Sequence, residues 1–430
     1  MKIDIKESNL IHQAEDLPNN QHQWLSNLDR IHERNNIPTV YFYKAADHPI
    51  SFESKVLKEA LSKVLVPFYP VAGRLGRDNK GRLEIVCNNE GVLFIEAETD
   101  SELDEVGDLM LVEVSQLIPS VDYSQGISSF PILAVQVTKF KCGGLSLGLR
   151  FHHILADGFG ALHFINTWCD VARGLSITMP PFIDRTILRC RAPPTPTFEH
   201  AEYDKPLSMN SATQILTSQQ NCIQIFKITL QQLETLKNKV KNADGKTKYT
   251  TYEILTAHIW RCTCKARALS NNQPIKLFIP INGRSRLHPP LPPNFFGNVI
   301  FSATLFALSG EILSETLKNT VERIDKKIKR IDDEYMRSAI DYLEVMDDLT
   351  PILRGANTCR CPNLNIVSWM RLPFYDADFG MGKPIIVRPA NPLEGKVYIM
   401  QTPSDDGSWQ LAICLQADHM QSFQRLFYEF

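Results

Sequence analysis

The sequence predicts an α/β protein of two domains. Three observations support this: strand-like and helical patterns alternate along the chain, a proline-rich break falls near its middle, and 430 residues exceed what one core ordinarily serves. The first helical pattern starts at Ser54, where Val56, Leu57, Ala60, Leu61, Val64 and Leu65 carry i, i+4 spacing, and it stops at Pro67. Phe68 to Leu75 reads as turn and strand. Alternating apolar runs over 83–95 and 132–151 predict sheet, and a helical pattern resumes over about 160–173. Between Cys190 and Asn221 the periodicity fails, with Pro193, Pro194, Pro196 and Pro206 among Ser, Thr, Glu and Asn, the chemistry of a linker. The expected organisation is an N-terminal domain over 1–190, a crossover linker over 191–221 and a C-terminal domain over 222–430. The second half repeats the mixture, with helical patterns at 229–241, 251–266 and 311–332 and strand-like runs at 275–281, 298–307, 384–389 and 396–401. No repeat of 20–50 residues is present, which excludes a solenoid.

Charge and cysteine usage narrow the chemistry. The 46 Lys and Arg against 48 Asp and Glu give a formal net charge of −2, so no global field gathers nucleic acid or an acidic membrane surface, and a small-molecule substrate is expected. The opening residues Met1 to Ser8 lack the apolar core of a secretory signal, and no run of about 18 apolar residues occurs, which predicts a cytoplasmic protein. Ten scattered cysteines fit free thiols in a reducing compartment. The pairs Cys262/Cys264 and Cys359/Cys361 lack zinc-type Cys-x-x-Cys spacing, so no metal is expected.

The chemistry-bearing segment follows a strand. Leu145 to Phe151 has strand composition and runs into His152-His153, after which Ala156-Asp157-Gly158 breaks the strand before a helix. A neutral imidazole can accept a hydroxyl proton near neutral pH, and strand alternation lets only one of the two histidines point into a given cavity. Asp157 either orients that imidazole or fixes the loop. On the residues alone, two satisfied sheet histidines beside an Asp-Gly turn are the commoner meaning, and a metal reading lacks a further ligand. Gly144-Leu-Ser146-Leu-Gly148 matches the hydrolase Gly-x-Ser-x-Gly pattern, but that chemistry needs a sharp turn at the serine, whereas here the strand pattern continues past it. Gly158-Phe-Gly160 starts a dinucleotide fingerprint that His163 interrupts.

Together, His152-His-Ile-Leu-Ala-Asp-Gly158 and Asp378-Phe-Gly-Met-Gly382 resemble the paired signatures of the plant BAHD acyltransferase family in order and spacing. Trp24 to Asp29, Leu65 to Leu75, Pro181 to Arg185, Phe296-Gly-Asn298 and Arg371 to Gly380 are similar to its hydroxycinnamoyl-CoA shikimate/quinate transferase branch, rosmarinic acid synthases included. The resemblance spans nearly the whole chain. It implies two chloramphenicol-acetyltransferase-like domains of mixed β-sheet flanked by helices, an active-site channel at their interface, and part of 360–385 packing with the N-terminal domain. It also implies a monomer with no permanently bound cofactor that moves a coumaroyl or caffeoyl group from CoA, the co-substrate. His153 deprotonates the acceptor hydroxyl for direct attack on the thioester, with no acyl-enzyme.

By the same resemblance Asp157 and Gly158 shape the loop, Asp157 through an arginine, while Asp378 and Gly380 form a second structural clip in which Asp378 pairs with Arg284. CoA is assigned to Thr250, Thr251, Tyr252 and Glu253, to Asn282, Gly283, Arg284, Ser285 and Arg286, and to Ser368, Trp369, Met370 and Arg371. Arginine suits phosphate, although Arg284 and Arg286 read equally well as solvated or ion-paired. Met381 stands where the family usually has tryptophan, which removes packing but no acid or base.

The acceptor side is assigned to Thr39, Tyr41, Arg354, Val367 and Trp369, with Arg354 matching an arginine that grips a carboxylate and Trp369 a pocket wall. Val367 and Ile37 replace threonines, and each lost hydrogen bond costs a polyhydroxylated acid about 0.5–1.5 kcal/mol. The expected acceptor is a carboxylate-bearing alcohol: shikimate, quinate or an aromatic hydroxy acid such as hydroxyphenyllactate. N-acyl transfer to a polyamine or aromatic amine is the alternative, and hydrolysis by Ser146 a remote one.

Overall fold

The computed structural model describes residues 1–15, 21–45, 53–103, 114–205, 207–209, 220–390, 392–402 and 406–430. Pro206 and 210–219 of the expected linker lie outside the described residues. Contacts divide the chain into two compact units, one of Met1–Arg189, Leu291–Val299 and Leu372–Asn391, the other of Cys190–Pro290, Ile300–Arg371 and Pro392–Phe430.

The first unit begins with β1 (Asp4–Ile11), β2 (Gln21–Trp24), α1 (Asn27–Arg30), β3 (Asn36–Tyr43) and α2 (Ser54–Val64). It continues with β4 (Arg74–Arg77), β5 (Leu83–Cys87), β6 (Val92–Thr99), β7 (Leu133–Phe140), β8 (Leu145–His152) and α3 (Gly158–Ala172). The second unit carries β9 (Asn221–Ile228), α4 (Leu230–Asn238), α5 (Thr251–Ala266), β10 (Pro274–Asn282), β11 (Ile300–Leu308) and α6 (Ser309–Ser314). Then come α7 (Leu317–Lys329), α8 (Asp333–Val345), α9 (Ala356–Cys359) and β12 (Leu364–Ser368). The chain returns to the first unit for β13 (Ile386–Pro389) and ends in the second with β14 (Lys396–Gln401), β15 (Trp409–Gln416) and α10 (Ala417–Phe427).

Each unit is built on a six-stranded mixed sheet. The order is β1-β6-β7-β8-β3-β13 in the first, with β2-β5-β4 as a small second sheet, and β11-β10-β12-β14-β15-β9 in the second unit. β6 and β7 pair in parallel, as does β12 with both β10 and β14, and the remaining pairs of the large sheets are antiparallel. On α2 the residues Leu57, Ala60, Leu61 and Val64 are buried as their spacing predicts, whereas Val56 faces solvent. The indole N–H of Trp168 on α3 donates to the Leu57 carbonyl at 3.0 Å, tying the two helices together.

Two sequence expectations of sheet hold with finer detail, and one helix expectation changes. The 83–95 run is two strands, β5 and β6, and the 132–151 run is the hairpin of β7 and β8. The 311–332 pattern breaks into α6 and α7 because Thr316 leaves the helical conformation and its side chain accepts from Asn319 N–H, starting a new helix. Among the described residues no helix is long and apolar enough to cross a membrane.

Candidate active site

β8 lies between β7 and β3, with His152 opposite Asn36 and Phe151 opposite Ile37, and the pleat turns His152 and His153 to different sides. His152 is enclosed, its Nδ1 accepts the Ile154 N–H at 3.3 Å, and its ring stacks 6.0 Å from Phe130. Burial and then the neighbouring His153 push its pKa down to about 3, so it stays neutral. His153, at the start of the turn, is half-buried where His152 is enclosed.

Its ring is held by a residue 145 positions away: His153 Nδ1 lies 2.9 Å from Asn298 Oδ1. The orientation of that amide follows from its other end. Asn298 Nδ2 faces two groups that only accept, Asp29 Oδ1 at 2.9 Å and the His153 carbonyl at 2.8 Å, so Oδ1 must be the atom toward the imidazole. An amide oxygen can only accept, so Nδ1 carries the proton and Nε2 the lone pair. Asp29 is itself fully enclosed. Its Oδ1 also takes the Asn298 backbone N–H at 2.9 Å and lies 3.1 Å from Arg185 Nη1, while Oδ2 takes the N–H and hydroxyl of Ser26 in a capping box on α1. The His32 ring stacks on His153, with centroids 3.8 Å apart and planes 5° from parallel.

The turn after His153 is pinned at both ends. Arg185 donates to the Ile154 and Leu155 carbonyls at 3.1 and 2.6 Å. Asp157 caps α3, its Oδ1 accepting from Phe159 and Gly160 N–H, and its Oδ2 accepts from Val299 N–H at 3.0 Å. A Cβ on Gly158 would stand 3.0 Å from Leu372. The second motif is a turn closed on itself: Asp378 Oδ1 accepts from Gly380 and Gly382 N–H at 2.8 and 2.9 Å, and both glycines have φ near +90° to +100°, which side chains avoid. Asp378 Oδ2 is 4.0 Å from Arg173, and Phe379 packs edge-on against Trp168. Thr39 and Tyr41 share one face of β3 and are buried. The Tyr41 hydroxyl has no hydrogen-bond partner among the described residues, and burial raises its pKa well above the ordinary value.

The remaining sequence candidates lie in the second unit. Thr250 and Glu253 form a capping box at the start of α5, so their side chains face each other, and Tyr252 donates to the Ile366 carbonyl at 2.9 Å. Thr251 is the first residue of that helix. After Gly283 the chain turns, with Asn282 Oδ1 accepting Arg284 N–H, Ser285 exposed, and Arg286 donating to the Ile328 and Ile331 carbonyls at the end of α7. Arg286, partly accessible, thus serves as a helix C-cap. Ser368 and Arg371 are exposed, Met370 is partly so, and the Trp369 ring lies 4.7 Å from Tyr398.

Arg354, Val367 and Trp369 converge. Phe278, Asn365 and Lys396 are direct partners across β10, β12 and β14, and Val367 is opposite Tyr398 one step on, so these five share one sheet face. The Arg354 guanidinium lies over that face, 5.4 Å from the Phe278 ring and 5.9 Å from Tyr203. On central strands such a face is ordinarily sealed. Here Asn365, Val367, Lys396 and Tyr398 are all partly accessible, while Leu364, Ile366, Val397 and Ile399 on the reverse are buried.

The rival nucleophiles lack access. Ser146 sits inside β8, fully enclosed and paired with Phe42 and Thr138, without the turn a nucleophile elbow needs. Ser338, His200 and Glu202 have a hydrolase-like order, with contacts of 2.8 and 2.9 Å. However, Ser338 Oγ accepts the Thr197 and Phe198 N–H groups and all three residues are buried, so the trio ties 197–202 to α8. Among the described residues no group of three His, Cys, Asp or Glu side chains is placed to hold a metal.

Over the full length of both chains the fold matches the solved structure of vinorine synthase with a TM-score of 0.76 at 22% identity. The Transferase family model matches residues 1–430, and the chain belongs to that family, the BAHD acyl-CoA-dependent acyltransferases. Among curated relatives, each covered over its whole length, it is 49% identical to shikimate O-hydroxycinnamoyltransferase of Nicotiana tabacum and 46% identical to rosmarinate synthase of Plectranthus scutellarioides. At 44% identity, with 99% of each chain covered, stands a hydroxycinnamoyl-CoA:5-hydroxyanthranilate N-hydroxycinnamoyltransferase of Avena sativa.

Proposed function

We propose that the chain moves a hydroxycinnamoyl group from CoA to the hydroxyl of a carboxylate-bearing acceptor, with His153 Nε2 as the general base. The observation that carries this is the Asp29–Asn298–His153 chain, which keeps the proton on Nδ1 and the lone pair on Nε2 before any substrate arrives. The acceptor oxygen bonds to the thioester carbonyl carbon, the C–S bond breaks, and the proton taken by His153 passes to the departing CoA thiolate. No group remains on the protein, in keeping with the burial of Ser146 and Ser338.

The acyl donor is supported by the hydroxycinnamoyl transfer named for the full-length relatives. The carboxylate is supported by Arg354, whose charge burial disfavours and which forms no ion pair with a carboxylate among the described residues. For CoA, the exposed Ser285, Ser368 and Arg371 and the backbone N–H groups opening α5 suit phosphate and amide contacts, and Asp157 and Asp378 are retained as structural clips, Asp378 facing Arg173 where the sequence expectation had Arg284. The reading is of a monomeric cytoplasmic enzyme. Incubation with coumaroyl-CoA against a panel of hydroxy acids, polyamines and aromatic amines, with products weighed by mass spectrometry, tests it. Esters of acidic alcohols support the reading, and amides in their place would replace it with N-acyl transfer, as the Avena sativa relative is named to perform.

A further inference from the structure

The partly accessible face of the second unit's sheet carries more positive charge than one carboxylate requires. Lys396 is half-buried beside Asn365 and lies 5.8 Å from the Tyr398 ring centre, and like Arg354 it makes no ion pair among the described residues. The carboxylates closest in the chain and in space are engaged elsewhere. Glu394, two residues earlier, is bound by Arg267 at 2.7 Å and by the Cys361 N–H at 2.6 Å, and Glu202 accepts from Tyr335 and faces His200. The Cys359 thiol nearby cannot serve as the anion, since burial pushes its pKa up to about 11. Burial, and then Arg354, disfavour the charge on Lys396, while burial outweighs the support that Tyr203 and Glu202 give the charge on Arg354. A third cation on the same face, Lys276, is already satisfied by the Ala201 and Asp204 carbonyls and the rings of Phe278 and Phe306. Between the two unsatisfied cations lies Asn365, whose buried Oδ1 has no partner among the described residues. Two half-buried cations on one face, neither in an ion pair among the described residues, are stabilised when a ligand supplies the missing negative charge.

We propose that Arg354 and Lys396 together form a site for an acceptor alcohol bearing two acidic groups, a hydroxy dicarboxylate, one carboxylate on each cation and a hydroxyl of the ligand on Asn365 Oδ1. This rests on the acyl-transfer reading above and specifies its acceptor.

The test compares malate with 2-hydroxybutyrate as acceptors of coumaroyl-CoA, in the full chain and in Lys396→Met and Lys396→Arg. Malate should be preferred in kcat/KM by the parent. Lys396→Met should lower the malate to 2-hydroxybutyrate ratio by about tenfold or more, chiefly through KM for malate, and Lys396→Arg should restore most of it. Equal turnover of the two acids by the parent, or an unchanged ratio in Lys396→Met, would overturn the inference while leaving acyl transfer to hydroxy acids standing. If neither acid is esterified but amines are acylated, the underlying reading falls as well. Fluorescence titration of Trp369, 4.7 Å from Tyr398, with succinate and with butyrate gives a readout independent of turnover. Tighter succinate binding that Lys396→Met abolishes supports the site, and equal binding of the two acids sinks it.

Discussion

At the scale of single residues, His153 is defined by what fixes its proton. His153→Ala should lower kcat by about 10²–10⁴-fold with CoA still bound, and activity within a few-fold of the parent would remove the residue from its role. Asn298→Ala should leave His153 present without the amide that fixes its proton on Nδ1, so kcat should fall at least tenfold with little change in KM for acyl-CoA. Equal losses in both parameters would show that Asn298 merely supports the fold. Val367→Thr restores a hydroxyl on the Arg354 face and should raise the ratio of shikimate to hydroxyphenyllactate turnover, and an unchanged ratio would place that side chain away from the acceptor. The candidate base could be singled out in the sequence because strand alternation and the Asp-Gly break need only local spacing, although on those residues alone two satisfied sheet histidines were the commoner meaning. Asn298, Asp29 and Arg185 were present in the stretches that carry the family resemblance, yet nothing local marks an Asn before a strand as the partner of a distant imidazole. His32 gave no signal at all, since stacking depends on where α1 ends.

At the scale of elements, both signature motifs turn out to be clips for turns. Asp157→Ala removes the cap of α3 and leaves Val299 N–H without its carboxylate, so a loss of about 0.5–2 kcal/mol from the cap alone should appear in denaturant melts, and an unshifted midpoint would contradict it. The role of Asp157 in holding the loop was left open by the sequence, because its four-residue separation from His153 fits that as well as orienting the imidazole. The helix at 311–332 misled for a different reason: apolar spacing is nearly continuous across Thr316, and only the cap hydrogen bond shows that the helix restarts there. In α5 the sequence resemblance assigns Thr250, Thr251, Tyr252 and Glu253 to CoA, and the structure shows the Thr250 and Glu253 side chains engaged with each other in a capping box.

For the whole molecule, two buried histidines set a pH limit. Burial holds His152 at about 3 and His258 at about 4, against an ordinary value near 6.5. Below that value the unfolded chain takes up protons that these imidazoles refuse in the fold, so stability is fully present above about pH 6.5 and declines as pH falls toward 4. Each group costs about 1.4 kcal/mol per pH unit within its window. Melting temperatures measured from pH 7.5 to 4.5 should fall on the acid side, and His258→Phe should flatten the slope; a parallel slope would exonerate that residue. The α/β class and alternation of elements were readable from periodicity, while the return of 291–299 and 372–391 to the first unit was not, because pairing partners far apart in sequence leave no local pattern.

That return also sets an order of events during synthesis. The edge of β3 that β13 covers, and the amide that aligns His153, come from residues emerging more than a hundred positions after the base. A nascent chain that has passed Arg189 therefore carries its histidine without its aligning partner and with one flank of the sheet open. The ribosome releases a competent enzyme only near the end of translation, and a product truncated before Asn298 should be inert and prone to pair through that bare strand.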